Sequence, residues 1–190
     1  MLYWWLHSFR RAVRNAWYRL DKEAFVVAGL VLVVVGGLIF AMQAVFAERD
    51  ASRERLRAYN EENLACLARN IYFEARGEPL AGQYAVAEVT MNRKASGLYP
   101  DTVCEVVHQK NWDPLRGRYV GAFSWTELDG LPAPTGAEWE QARQVAEAVY
   151  YSRYAPALHG ALYYHATYIR PPWARQKTLV SRIGRHVFYR

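Results

Sequence analysis

Residues 71–93 read IYFEARGEPLAGQYAVAEVTMNR. Leu64, Leu67, Ala68, Ile71 and Ala75 recur at helical spacing, which predicts a helix over residues 60–75. Gly77 ends it, and Pro79 suits the first position of a second helix, expected over residues 79–94. Ala81, Ala85, Val86 and Val89 mark one face of that second helix, and their small side chains predict close packing against the first. Glu74 thus falls at the end of an apolar helix, directly after Ile71, Tyr72 and Phe73. A carboxyl group held against apolar neighbours keeps its proton to higher pH, as a general acid must. Arg76 and Glu78 set the local field. If Arg76 pairs with Glu78, Glu74 keeps its proton; if Arg76 contacts Glu74, the acid role weakens. Glu78 is the runner-up acid, although a carboxylate at a helix start equally serves the helix dipole.

Downstream of this corner, SGLYPD (96–101) reads as a loop, followed by a short helical turn over 101–109. Residues 110–136 are rich in Gly, Pro, Trp and charge, carry no clean period, and read as one long functional loop containing GAFSWT (121–126). Thr135 to Glu138 has the spacing of a capping box. It predicts a third long helix to about Arg153, with Ala142, Val145, Ala146 and Val149 facing inward. ALYYHAT (161–167), TLVSRIG (178–184) and RHVFY (185–189) are β-prone runs that suit a small antiparallel sheet. The class is α+β, with helices first and a small sheet against them.

Upstream, AFVVAGLVLVVVGGLIFAM (24–42) contains no charge. A helix of that length spans the ~30 Å of bilayer hydrocarbon. Arg10, Arg11, Arg14, Arg19 and Lys22 precede it against only Asp21 and Glu23, a bias that keeps the N-terminus in the cytoplasm. The expected organisation is an amphipathic cytoplasmic segment (1–23), a transmembrane helix (24–47), a charged stalk (48–62) and an extracytoplasmic domain (63–190). A cleaved secretory signal ending near Val45-Phe46-Ala47 is the alternative, disfavoured by the length of the apolar run.

The net charge is +6, and the chain holds 14 Tyr and 7 Trp. Arg170, Arg175, Lys177, Arg182, Arg185 and Arg190 crowd the last 21 residues without an acid, a distribution that favours an anionic partner, polymer or membrane. No nucleic-acid recognition motif is present, so none is expected as partner. Cys66 and Cys104 are the only cysteines. In an oxidising compartment they are expected to form one disulfide, the alternative being two buried thiols. His165 and His186 lie in the β-prone runs, but no HExxH or dense ligand cluster accompanies them, so no metal is expected. No Ser-His-Asp or Cys-His arrangement is readable either.

With these motifs in hand, residues 63–190 resemble the SleB-type cell wall hydrolases, the spore cortex-lytic enzyme family. NIYFEARGEPLAGQYAVAEVTMNR, PDTVCEVV (100–107), FSW (123–125), ALYYHATYIRPPWA and IGRHVFYR carry the resemblance in order. It implies a lysozyme-like fold, peptidoglycan glycan strands as substrate, and no cofactor. It implies lytic transglycosylase chemistry on the bond between N-acetylmuramic acid and N-acetylglucosamine, with the catalytic glutamate at Glu74. It also implies that Gln83, Ser124, Trp125, Tyr163, His165 and Trp173 line the glycan groove, with Glu78 counted among the residues near substrate. The chain departs from the family in carrying a membrane anchor rather than a spore-type binding domain, and FSWTELDG lacks a cysteine found near that point in many relatives. Vegetative wall remodelling near the inner membrane is therefore the expected role. Two rivals stand beside it: a hydrolytic muramidase with Glu78 or Asp101 as second carboxylate, and a non-catalytic peptidoglycan-binding envelope protein.

Overall fold

A single long helix carries both the apolar stretch and the run that ends at Glu74. In the computed structural model, which describes residues 2–19, 22–114 and 116–190, this helix is α2 (Lys22–Ala75). The chain divides into one unit ending at Arg55 and another spanning Leu56–Arg190. In the first unit, α1 (Leu2–Arg19) precedes α2. The apolar stretch of α2 has the length and composition to cross a membrane, and its apolar window is wholly unburied. Leu20 and Asp21, part of the expected cytoplasmic segment, lie outside the described residues. The expected stalk is a continuation of α2 rather than a separate element.

In the second unit α2 ends at Ala75, and α3 (Leu80–Ala95) follows after a tight corner. A short helix, α4 (Val103–His108), starts at Thr102, whose hydroxyl accepts from the Glu105 backbone N–H at 3.1 Å. Asn63 of α2 accepts from the Val103 N–H at 2.7 Å, so the start of α4 is pinned to α2. The Cys66–Cys104 disulfide ties the same two helices covalently. Leu67, Ile71, Val103, Val107, Ala142, Val145 and Val149 close the main core, the last three from α5 (Ala137–Tyr150).

Helix α3 is buried around most of its circumference. Ala87 joins the helical core, whereas Ala85 and Val89 pack with Leu158, Ala161 and Phe188 in a second core. This corrects the expectation from periodicity: Ala81 is exposed, and the Ala85–Val89 face meets the sheet side rather than α2. The small residues are needed because elements approach the helix from opposite sides.

The sheet is antiparallel with order β3 (Tyr163–Ala166), β5 (His186–Tyr189), β4 (Leu179–Ile183). Tyr164 pairs with Phe188, and His165 with Val187. Side chains alternate across a strand, so Tyr164 and Phe188 face the helices while His165 and Val187 face away. The 110–136 segment is more ordered than its composition suggests. Strands β1 (Lys110–Asp113) and β2 (Arg118–Gly121) form a hairpin closed around Gly117, which adopts a left-handed φ of 62°. Its residues are mostly exposed, so no apolar alternation marks it in the sequence. The expected capping box is absent: α5 begins at Ala137 after Gly136, no side chain caps it, and Glu138 therefore falls one position too early to close the box.

Candidate active site

Glu74 lies in the last turn of α2, half-buried, with both carboxylate oxygens engaged. Tyr164 of β3 donates its hydroxyl to Oε2 at 3.0 Å, and Ser124 donates to Oε1 at a longer 3.3 Å. Burial pushes the Glu74 carboxyl above the usual range, outweighing the lowering effects of Tyr164, Ser124 and the more distant Arg93 cation. Ser124 opens a single 3₁₀ turn, Ser124–Glu127. Gly121 makes that turn possible, since a Cβ there would strike the Thr126 hydroxyl and the Phe123 carbonyl. Tyr164 is enclosed, and its hydroxyl is held well above its ordinary value by burial and by the neighbouring Glu74 charge, so it stays protonated and able to donate.

Trp125 extends the site. Its indole N–H donates to Asn70 at 2.9 Å, and Asn70, fully buried, donates in turn to Thr90 of α3 at 3.1 Å. Its ring stacks on Phe73 with centroids 4.8 Å apart. Phe73 and Trp125, the chain neighbours of Glu74 and Ser124, border a cleft of about 400 Å³ that also includes Arg69, His108 and Leu131. Flat rings beside a half-buried acid suit an elongated, weakly polar ligand with ring faces.

The other expected residues lie elsewhere. Arg76 takes neither of the alternatives open in the sequence; its guanidinium stacks over the Tyr72 ring, 4.9 Å from the centroid. Glu78 is buried and binds Arg185, its Oε1 accepting from Nε and its Oε2 from the backbone N–H, both at 2.7 Å. Burial acts to raise the Glu78 carboxyl, but the Arg185 bonds and the neighbouring charges outweigh it and hold the group below its usual value. Glu78 is therefore a poor proton donor, and it anchors the β4–β5 turn to the α2–α3 corner. Gly184 is needed in that turn: its φ is +57°, and a Cβ there would collide with Glu78. Gln83 is buried and donates to the Glu78 carbonyl at 3.2 Å.

Tyr163, His165 and Trp173 gather with Tyr189 into an aromatic cluster based on the outward face of the sheet. The His165 ring is held on both nitrogens, Nδ1 donating to the Ala166 carbonyl at 2.9 Å and Nε2 hydrogen-bonded to the Tyr189 hydroxyl at 3.0 Å. The contacts of Glu74 come instead from Tyr164, the residue between Tyr163 and His165. Tyr164 and Arg93 are the residues that sequence reasoning missed. The period-two alternation within YYHA was the available signal for Tyr164. Arg93 carried none, because its position depends on packing: it is 8% exposed, donates to the Leu162 carbonyl at 2.8 Å and lies against the Tyr99 and Phe123 rings. Among the described residues no group of three metal-ligating side chains converges.

A family model described as Cell Wall Hydrolase matches residues 77–189, more than half of the chain. The chain belongs to the cell wall hydrolase family. Glu74 lies just ahead of the matched residues. Among curated relatives of this hydrolase, the spore cortex-lytic enzyme of Bacillus subtilis is 29% identical over 130 residues, covering 68% of this chain and 38% of the relative. That of Halalkalibacterium halodurans is 32% identical over 130 residues, covering 68% and 35% respectively. The chain thus spans well under half the length of these relatives. Among solved structures, the catalytic domain of the germination-specific lytic transglycosylase SleB from Bacillus anthracis is 27% identical, with a TM-score of 0.50 over 67% of this chain and 93% of that domain. The catalytic domain of the Bacillus cereus SleB protein is 28% identical, with a TM-score of 0.52 over 68% and 91%. The hydrolase domain therefore has the mixed helical and small-sheet fold of SleB catalytic domains, as the α+β reading anticipated.

Proposed function

We propose that this chain is a membrane-anchored lytic transglycosylase that cleaves peptidoglycan glycan strands between N-acetylmuramic acid and N-acetylglucosamine. The observation that carries the reading is the Glu74 carboxyl group: half-buried, held above its ordinary pKa and oriented by two hydroxyl donors, with its chain neighbour Phe73 bordering an aromatic cleft. The proton resides on Oε1, where the Ser124 contact is longer, and Tyr164 holds Oε2. Glu74 gives that proton to the glycosidic oxygen as the bond to the muramic C1 breaks. The resulting carboxylate is stabilised by Tyr164, Ser124 and the Arg93 charge. It then takes the proton of the muramic 6-hydroxyl as that oxygen attacks C1, closing a 1,6-anhydro ring. Glu74 ends protonated, and no water is consumed.

One carboxyl group suffices for this path. The engagement of Glu78 with Arg185 favours it over a muramidase that uses Glu78 as second carboxylate. Ser124 and Trp125 are assigned to the substrate path, while Glu78 and Gln83 act on the corner that holds α3. The proposed organisation retains a cytoplasmic segment (1–23), a single inner-membrane span (24–47), a stalk (48–62) and an extracytoplasmic domain (63–190). It is supported by the exposed apolar stretch of α2 and the arginines ahead of it. Wall remodelling close to the membrane follows from that placement.

The deciding experiment is digestion of purified peptidoglycan by the full chain in detergent, with the products weighed. Anhydromuramic ends from wild type and none from Glu74→Gln are expected. Reducing ends would replace the transglycosylase with a hydrolase. Unchanged product from Glu74→Gln would remove Glu74 from the reaction.

A further inference from the structure

The outward face of the three-stranded sheet bears a pocket of about 460 Å³ whose walls include none of Glu74, Ser124 and Tyr164. Arg170, Arg175 and Arg182 line it, with His165 and Tyr189 at one side and no acidic residue among its walls. Arg182 stands on β4 opposite Val187 of β5, so it shares the outward face. Arg175 sits in the 3₁₀ turn Pro172–Gln176, stiffened by Pro171 and Pro172, and Arg170 immediately precedes that pair. Among the described residues, none of the three guanidinium groups has an ion-pair partner. Their basic neighbours differ: Arg185 is bound to Glu78, and Lys177 lies over the Tyr163 ring at 4.0 Å.

Three unneutralised cations around one hollow repel each other, and an anion relieves that repulsion. Guanidinium groups bind carboxylates through paired hydrogen bonds. The hollow is concave, with Ile169, Leu179 and Val187 adding apolar wall, which suits a short acidic chain better than a flat bilayer. The pocket lies on the face of β3 opposite the one that meets Glu74: His165 borders it, while the adjacent Tyr164 touches Glu74 on the other side of the strand.

We infer that this pocket binds the free carboxylates of the peptide stems carried by the wall glycan, giving the enzyme a second hold on its polymer. The inference rests on peptidoglycan being the substrate. It assigns the arginine excess of the C-terminus to substrate retention rather than to the membrane surface.

The test measures co-sedimentation of the full chain in detergent, in a Glu74→Gln background so that the polymer is not consumed. The polymers compared are intact sacculi and sacculi stripped of their peptides by an amidase. Wild-type arginines are expected to bind intact sacculi about tenfold more tightly than stripped glycan, consistent with charge-assisted pairing. The exposed triple substitution Arg170→Gln, Arg175→Gln, Arg182→Gln should abolish that difference and leave binding to stripped glycan unchanged, with an unaltered circular dichroism spectrum. The inference is overturned if the triple variant keeps the preference, if no preference exists, or if both polymers lose binding equally. It is also overturned if the arginines prove necessary only for phosphatidylglycerol vesicles. Digestion of either polymer by the Glu74→Gln protein is a separate result, which overturns the role of Glu74 and not the stem preference.

Discussion

The hydroxyl of Tyr164 lies 3.0 Å from Oε2 of Glu74, across 90 residues of chain. It joins the end of a helix to the edge strand of the sheet at the carboxyl group proposed to donate the proton. Because Tyr164 remains protonated, its bond favours the charged form of Glu74 and partly offsets the effect of burial. Removing the hydroxyl in Tyr164→Phe should therefore raise the Glu74 pKa further. In the proposed mechanism activity requires the protonated acid and declines as pH rises through that pKa, so the alkaline limb of the kcat/KM profile should move to higher pH. The maximal rate should fall by roughly tenfold, because the carboxylate formed after proton donation loses a donor. A limb that stays in place would show that the hydroxyl does not act on the acid.

Glu74 also bears on stability. A carboxyl group whose pKa is raised in the folded state favours folding below its unfolded pKa, and that contribution is lost as pH rises through the folded value. Glu74→Gln should accordingly raise the melting temperature at neutral pH and bring no comparable gain in acid. Thermal unfolding at both pH values reads this directly.

The Glu78–Arg185 pair should behave in the opposite sense. Its carboxyl pKa is depressed, so its contribution is present above the unfolded carboxylate value and is lost as pH falls through the folded one. Glu78→Gln is expected to cost about 1–3 kcal/mol at neutral pH, as for a buried group whose charged partner is left behind, and to flatten the acid limb of the stability curve. Denaturant titrations across pH measure both. Activity per folded molecule should change little, which separates anchoring from catalysis.

Trp125→Phe keeps a ring on Phe73 but strands the buried Asn70 oxygen. A loss of about 1–2 kcal/mol is expected from the unsatisfied acceptor, together with reduced cleavage as the turn bearing Ser124 loosens. Asn70→Leu in the same background should recover part of the stability without recovering the activity.

Reduction of the Cys66–Cys104 bond should lower stability by about 4 kcal/mol in the chain-entropy account of a cross-link between helices 38 residues apart. The midpoint of denaturant unfolding with and without reductant checks the value. An unchanged midpoint would mean that Asn63 and the core alone hold α4 in place.

Much of the helical frame was legible because its signals are local. Apolar spacing marked the end of α2, Gly77 and Pro79 marked the corner, and Ala142 to Val149 marked α5. The C-terminal strands were legible from their β-prone composition. The β1–β2 hairpin was not, since its exposed residues leave no alternating imprint. The assignment of Tyr163 and His165 to the glycan groove came from the family resemblance, and strand alternation sets them on the side opposite Tyr164.

Short-range residue patterns were enough to establish that an apolar helix ends in a carboxylate, that a charge-free stretch of bilayer length precedes it, and that a short sheet closes the chain. These features depend on residues a few positions apart, where backbone geometry dictates which side chains share a face. The partners of the two carboxylates emerge only in the packed fold, where Glu74 receives Tyr164 and Ser124 while Glu78 is committed to Arg185. Those pairings join residues 50 to 107 positions apart. At such separations the chain imposes no geometry of its own, and the packing of α3 against both cores selects which partners meet.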